Sequence, residues 1–438
     1  MTEPDGALTR AVRSLCLGLV RLFYREIAVS GLHHLPATGA VLLVANHPNG
    51  LLDPVVLRLA VGRPVGFLAK STLFGNPVGR LALNAFAGLP VFRPRDGADT
   101  SHNERTFALA RQRMEHGCWI ALFPEGTSHS DPTMRPLRTG AARLALSYVE
   151  AQPADRLHLV PCGLLYQAKE TFRSRVAVQI GEPLDVSAFA ARHGCGFDAA
   201  RQLTEDVQGD LSQVVLQADQ QTLLRGLVAV AGWVHKGAAR DLAAQQALAQ
   251  RLAHAWQILL AADPDRAHGL QTQAAAFAAE LADLGIDDPW QIDEPLPAPG
   301  AVLRGTLGLL WMCPFAVIGA VLGWPAYRAI RPLSVVLAGT ETDLIGTIKV
   351  LLGLVGMPAW WGAQAWVAAA VGGWRAALVV AVAGPLSGWL ALRWSERWQR
   401  RRQVLRLAWL RGVRNEVAAE VRRHRDELSR AVLAALEG

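Results

Sequence analysis

The chain has 438 residues, 51% of them apolar, with a formal net charge of +7 and a mean hydropathy of +0.20. That length suits two or three domains, and that hydropathy is high for a wholly soluble chain. The charge is localised, since residues 393–438 hold 12 Arg against 6 Asp or Glu; the rest is near neutral, which argues against a folded nucleic-acid face and for a charged membrane flank.

The N-terminus starts with acids, Glu3 and Asp5, and its first apolar stretch is interrupted by Arg13 and Arg21. It therefore lacks the charged start and clean apolar core of a secretion signal, and the folded part is expected to face the cytoplasm. Five scattered cysteines contain no CxxC pair, which suits a reducing compartment and speaks against zinc or a disulfide frame. Val12, Leu15, Cys16, Leu19, Leu22 and Phe23 share one face at helical spacing, with Arg10, Arg13, Arg21 and Arg25 opposite. A basic amphipathic helix is expected over residues 1–28, either packed on the domain or lying in the headgroup layer of an anionic leaflet.

From Val29 to about Asp185, short β-rich runs alternate with helical stretches: Ala40–Ala45, Val65–Ala69, Leu89–Phe92, Trp119–Phe123, His158–Leu165 and Val176–Ile180. The pattern predicts an α/β domain over residues 29–190, a single mixed sheet flanked by helices. Residues 191–295, rich in Ala and Gln, predict a helical extension with no recognisable chemistry. Leu296-Pro297-Ala298-Pro299-Gly300 then reads as a linker.

Residues 296–395 predict a C-terminal α-helical membrane region, because Leu303–Trp324, Ile348–Val371 and Trp374–Leu392 approach or exceed the roughly 20 residues that cross hydrocarbon. Ten of the 14 Trp lie beyond residue 300, as interfacial anchors would. Pro314, Pro325, Pro358 and Pro385 interrupt these segments and predict bends or re-entrant turns. Three crossings would put the arginine-rich tail outside, so an even number is expected, with Leu303–Trp324 entering and leaving on one face. Residues 396–438 form a basic tail in which Val413, Val417, Val421, Leu428, Val432 and Leu436 keep helical spacing.

The chemistry concentrates where the apolar run Ala40–Ala45 ends, in Asn46-His47-Pro48-Asn49-Gly50-Leu51-Leu52-Asp53-Pro54. Pro48 biases His47 to an extended conformation, Asn49-Gly50 is a turn dipeptide, and Asp53-Pro54 reads as a helix start with Asp as cap. A strand, turn and helix start within seven residues bring His47 and Asp53 into hydrogen-bonding range. Such a pair makes a general base, the carboxylate fixing the tautomer while the other ring nitrogen takes a proton from a hydroxyl. The plainer alternative is a capping Asp53 and a polar loop histidine.

These residues resemble the glycerolipid acyltransferase family, membrane enzymes acylating glycerol 3-phosphate or lysophosphatidic acid, whose first block is Asn-His, a short gap, then Asp. The likeness continues through Gly88-Leu89-Pro90-Val91-Phe92-Arg93, Phe123-Pro124-Glu125-Gly126-Thr127 and Leu159-Val160-Pro161, four blocks in order over residues 29–185. The usual gap is four residues, whereas Pro48 to Leu52 make five, as in a branch that includes fungal glycerol 3-phosphate acyltransferases with long membrane tails; Gly50 is expected to absorb the extra residue.

The resemblance implies His47 as general base, Asp53 as its orienting partner, and Arg93 with Glu125, Gly126 and Thr127 as the pocket for a glycerol phosphate. Glu125 is expected to hold a glycerol hydroxyl or fix a neighbouring arginine, and the Gly126 turn to offer backbone N–H groups. Where the family often continues with Arg after Thr this chain has Ser128, and Arg138 either supplies the missing cation or is a solvated surface arginine. No metal or other cofactor is implied. The expected partners are a lipid bilayer, a lysophospholipid or glycerol 3-phosphate acceptor, and an acyl thioester donor, either acyl-CoA or acyl carrier protein, with no nucleic acid. The resemblance implies transfer of a fatty acyl group to lysophosphatidic acid at the inner membrane, with the catalytic domain facing the cytoplasm. Glycerol 3-phosphate or another lysolipid is the alternative acceptor, and a non-catalytic scaffold or lipid transporter the alternative of another class.

Overall fold

The structure is a computed structural model, described over residues 6–93, 97 and 99–437; Glu3 and Asp5 lie outside that range. The chain divides into two compact units, residues 1–231 with 240–256 and residues 232–239 with 257–438.

The first unit is built on one mixed sheet of eight strands: β1 (Tyr24–Ser30), β2 (Ala40–Ala45), β3 (Val65–Lys70), β4 (Leu89–Val91), β5 (Trp119–Leu122), β6 (Leu157–Tyr166), β7 (Ser174–Ile180) and β8 (Leu184–Asp185). The order is β1-β7-β6-β2-β5-β3-β4 with β8 beside β6. Every pairing is parallel except those of β6 with β7 and with β8. All six residues of central β2 are buried, as a strand covered on both faces requires. That is why Ala40–Ala45 reads as an unbroken apolar run rather than an alternating one.

Around the sheet lie α1 (Ala7–Phe23), α2 (Leu52–Val61), α3 (Pro77–Ala85), α4 (Asn103–Glu115), α5 (Gly140–Ala151), α6 (Val186–His193) and α7 (Phe197–Val214). Leu42 and Val44 of β2 share a core with Leu144 and Tyr148 of α5 and with Leu203, Val207 and Leu211 of α7. The layer closing the sheet therefore runs past residue 190, where the sequence pattern placed the domain end. At the other end, α1 stops at Phe23 and Tyr24–Ser30 is a strand, so the amphipathic helix is shorter than residues 1–28. The residues following Phe23 carry β-prone Tyr, Ile and Val, and β1 pairs with β7, a partner about 150 positions away that no local pattern announces.

The stretch expected to be a helical extension consists of helices joined by short non-helical segments, continuing after α7 as α8 (Gln221–Val234), α9 (Lys236–Arg240), α10 (Leu242–Ala262) and α11 (Pro264–Leu284). The second unit holds α11, α12 (Pro299–Ala338), α13 (Ile345–Val413) and α14 (Asn415–Glu437). Both α12 and α13 are long and apolar enough to cross a membrane, and Trp311, Trp366 and Trp374 remain 73%, 74% and 71% exposed.

At Gly373 (φ 75°, ψ −175°) α13 breaks into two limbs, matching the gap between the second and third apolar segments. The Trp361 ring packs on Gly384 and Gly388, although a straight helix would hold residues 361 and 384 about 34 Å apart. The limbs therefore run in opposite directions. Along the second limb α12 is antiparallel, with Gly319 against Ser387 and Leu309 O accepting from Trp394 Nε1. Farther on, Gly323 faces Met357 and Leu322 O accepts from Trp360 Nε1 and Gln364 Nε2, both on the first limb. A straight α12 cannot meet both sets of contacts, because only residues 339–344 join it to the start of that limb. The chain therefore bends beyond Gly323, where Pro325 and Pro332 of α12 each remove a helical hydrogen bond, as Pro358 does in the first limb.

The tail is not a freely solvated basic block. Arg406 donates to Gly285 O, Arg411 to Gln291 O and Ile292 O, and Arg422 to Asp293 Oδ1. Arg425, only 5% exposed, donates to Asp293 and lies 3.9 Å from the Trp290 ring centroid. Val421, Leu428 and Val432 are buried, as the helical spacing of α14 predicts, but Val413 is 71% exposed at the end of α13.

Candidate active site

The site forms where β2 gives way to α2. Asn46 extends the pairing of β2 with β6 by one residue, its side chain donating to Leu164 O at 3.1 Å and accepting from Leu164 N at 2.7 Å. His47 follows, its N–H donating to Glu125 Oε1 at 3.3 Å and its carbonyl accepting from His129 N at 3.1 Å. The backbone carrying the imidazole is thus held on both sides. Gly50 takes φ 47°, a left-handed turn open to glycine at little cost, and through it the five-residue gap still returns Asp53 to His47.

His47 Nδ1 lies 2.8 Å from Asp53 Oδ2. The carboxylate is fully buried and the imidazole 18% exposed. With Nδ1–H donated to Asp53, the Nε2 lone pair is left as the proton acceptor. Asp53 does not cap α2, as Asp-Pro suggested: Leu51 occupies the cap position without a side-chain bond, and Asp53 sits in the first turn, where the helix dipole favours an anion. Its donors are instead His47 Nδ1, Asn49 N at 2.8 Å and Tyr166 O–H at 2.5 Å. Phe123 forms a wall for the ring, stacked on it at 4.0 Å and 14°.

Behind this pair, buried Asn49 donates from Nδ2 to Tyr24 Oη at 2.6 Å, and Tyr24 donates to Lys169 O at 2.9 Å. Lys169 Nζ in turn donates to Pro48 O at 2.7 Å and Ser130 Oγ at 2.6 Å, tying the two site loops together. Burial first, and then the charge of Asp53, push the Tyr24 and Tyr166 phenols above the usual tyrosine range, so both remain donors. Cys162, paired with Ala45 across β2 and β6, has its thiol pushed up to about 12 by burial. It is not a thiolate at neutral pH, so the nearby strand supplies no cysteine nucleophile.

The Phe123–Thr127 block is tied to the loop that carries His47. Glu125 is 4% exposed, and its carboxylate accepts from His47 N, from Arg135 N at 2.8 Å and from His129 Nε2. A buried carboxylate needs such partners, and these make Glu125 a brace between the two loops. Gly126 (φ 72°) closes a turn with its own N–H on Phe123 O at 3.0 Å, so that amide is engaged internally. Its carbonyl accepts from Arg93 Nη1 at 3.0 Å. Arg138 covers its other side, and a Cβ on Gly126 would sit 2.8 Å from Arg138 Nε. Two guanidinium groups thus converge on one glycine. Thr127 donates its hydroxyl to Ser128 O at 3.2 Å. Among the described residues, no three His, Cys, Asp or Glu side chains are grouped as a metal site would need.

Tyr24, Tyr166, Phe123, His129 and the supporting role of Asn49 were not singled out from the sequence. The tyrosines come from β1 and β6, distant in the chain from His47, and no local spacing marks them. Asn49 and Phe123 lay inside blocks already noted but were assigned only to a turn and a strand.

A family model described as Acyltransferase matches residues 26–165. Over 76 residues the chain is 45% identical to an uncharacterized acyltransferase of Schizosaccharomyces pombe, covering 17% of this chain and 11% of the relative. Glycerol-3-phosphate O-acyltransferase 2 of Saccharomyces cerevisiae is 37% identical over 89 residues, 20% of this chain and 12% of the relative. Glycerol-3-phosphate O-acyltransferase 1 of the same yeast is 31% identical over 118 residues, 26% and 16% respectively. The matches thus span a sixth or less of the length of these relatives. A solved 1-acyl-sn-glycerophosphate acyltransferase from Thermotoga maritima aligns at 19% identity and TM-score 0.34, covering 48% of this chain and 83% of that one.

Proposed function

We propose, from an acyltransferase domain over residues 26–165 that belongs to the glycerolipid acyltransferase family, that this chain transfers a fatty acyl group from a thioester to a hydroxyl of a phosphorylated glycerol acceptor. The observation that carries the reading is the 2.8 Å contact of His47 Nδ1 with a fully buried Asp53. His47 Nε2 takes the proton of the acceptor hydroxyl as its oxygen attacks the thioester carbonyl. When the carbonyl re-forms, the thiolate leaves and receives that proton from the imidazolium, which Asp53 has stabilised meanwhile.

Arg93 and Arg138 at Gly126 support a phosphate on the acceptor, since forked guanidinium donors match phosphate oxygens. Lysophosphatidic acid is the acceptor we favour on the four-block pattern. Glycerol 3-phosphate is the second reading, favoured by the names of the two yeast relatives. The donor is acyl-CoA or an acylated carrier protein. Purified full-length protein offered both acceptors with both donors decides among these, and acylation of a lysolipid lacking the phosphate at an equal rate would remove the arginines from the proposal.

We also infer a membrane-bound enzyme with its catalytic domain on the cytoplasmic face of the inner membrane. Two long apolar helices support it. So does α1, whose Leu8, Leu15 and Leu22 stay 63%, 48% and 49% exposed along one face. A bent α12 supports an even number of crossings. A single cysteine placed at Ala435 should label from the cytoplasmic side, and labelling from outside would overturn that topology.

A further inference from the structure

We infer that Tyr166 is a positioning residue of the proposed base: its phenol O–H, given to one oxygen of Asp53, keeps the other oxygen aimed at His47 Nδ1. The inference rests on the reading of His47 as the base and deepens it. Asp53 is buried completely and lies in the first turn of α2, where a short side chain has two rotatable bonds and is closed off from solvent. Its Oδ2 already serves two donors, Asn49 N and His47 Nδ1, both at 2.8 Å. Its Oδ1 receives Tyr166 at 2.5 Å. An ionised buried oxygen without a donor is costly, so removing the phenol O–H would either rotate the carboxylate or make it bind a proton.

The donor is well suited to this task. Tyr166 is the last residue of β6, placed opposite Val176 of β7, and its ring lies 5.4 Å from that of Tyr24. The ring cannot swing without disturbing both strands. Tyr24 fixes the other side of the carboxylate indirectly, by accepting from Asn49 Nδ2 while the Asn49 N–H points at Asp53. The ionisable groups facing Asp53 are His47 from the loop after β2, Tyr24 from β1 and Tyr166 from β6, with Glu125 and His129 standing behind His47. Neither tyrosine competes for the negative charge at working pH, because both phenols hold their protons.

The test compares full-length Tyr166→Phe with His47→Ala and with Tyr148→Phe, a matched control whose buried phenol bonds Asp155 on α5's side of the sheet. Tyr166→Phe should lower kcat about tenfold with KM for both substrates unchanged. The acid limb of its kcat profile should move to higher pH, because a pair stripped of a donor to its carboxylate binds a proton more readily. Tyr148→Phe should leave kcat and the limb in place. Tyr166→4-aminophenylalanine, which restores an N–H donor on a ring of the same size, should recover most of the lost kcat and covers the case of a poorly folding Phe variant. Normal kcat and an unmoved limb in Tyr166→Phe, alongside an inactive His47→Ala, would overturn this inference alone. An equal loss in Tyr148→Phe, or no recovery with the amine, would overturn it as well. An active His47→Ala would instead remove the parent reading.

Discussion

The two units both hold charge out of water, and they satisfy it in opposite ways. In the first, the buried charges are carboxylates, Asp53 and Glu125, ringed by donors from β6 and two loops, with His47 left 18% exposed at their edge. In the second, the buried charge is a guanidinium, Arg425, closed by Asp293 and the face of Trp290, and its neighbours Arg406, Arg411 and Arg422 fasten on carbonyls and carboxylates of residues 285–293. One network stops at an open imidazole nitrogen that can exchange a proton with a ligand. The other closes on itself. Burial of charge marks both, but only a network that ends in an accessible titratable atom is built for chemistry.

The sharpest way to break this contrast is to remove the open end. His47→Ala and Asp53→Asn should each lower turnover by a factor of ~10²–10⁴, the usual range for a positioned base, with the protein still folded. Near-normal turnover would make the first network as structural as the second. Next in size, Glu125→Gln places an amide N–H₂ against one of three donors in a buried site. A loss of ~1.5–3 kcal/mol in stability is expected, together with lower turnover, because His47 N hangs on that carboxylate. A variant that lost turnover without stability would instead give Glu125 contact with substrate.

Arg93→Ala should act on binding rather than on the proton transfer, raising the apparent KM for the phosphorylated acceptor about tenfold with kcat little changed. Arg138→Ala should do the same more weakly, since Arg138 is exposed and screened. An unchanged KM in Arg93→Ala would take the phosphate away from Gly126.

How much of this was legible follows from the range of each interaction. Six strands and the His47–Asp53 pair lie within local patterns, an apolar run or a turn of seven residues, and the structure places them there. The break at Gly373 was legible for the same reason, as a gap between apolar runs. Tyr166 and Tyr24 were not, because they reach Asp53 and Asn49 from positions 113 and 25 residues away, and a buried tyrosine looks the same in sequence whatever its hydroxyl touches. The partners of Glu125 were hidden for a related reason: its motif tells that a carboxylate is present but not which way it faces. The partners of the tail arginines were not legible, because composition counts charges and does not show that Asp293 and the carbonyls of residues 285–292 receive them.

The mildest effect on turnover is expected in the closed network. Arg425→Ala leaves Asp293 with Arg422 alone and empties a site 5% exposed, and breaking one side of a buried pair costs about 3 kcal/mol or more. The second unit should therefore unfold at lower temperature, while a water-soluble acceptor is acylated at the wild-type rate. The pH dependence separates charge from packing. Burial pushes the Asp293 carboxyl up, but the hydrogen bonds and charges of Arg425 and Arg422 outweigh it and hold the group below the usual carboxylate range. A carboxylate depressed in the folded state contributes stability fully above its unfolded value of about 3.9, and loses it as pH falls through the lower folded value. The gap in melting temperature between wild type and Arg425→Ala should thus be flat from about pH 5 to 8 and narrow only below about pH 4. A gap that stays constant into acid would mean that Arg425 holds the segment by stacking on Trp290 alone, and the second network would then be one of packing rather than of charge.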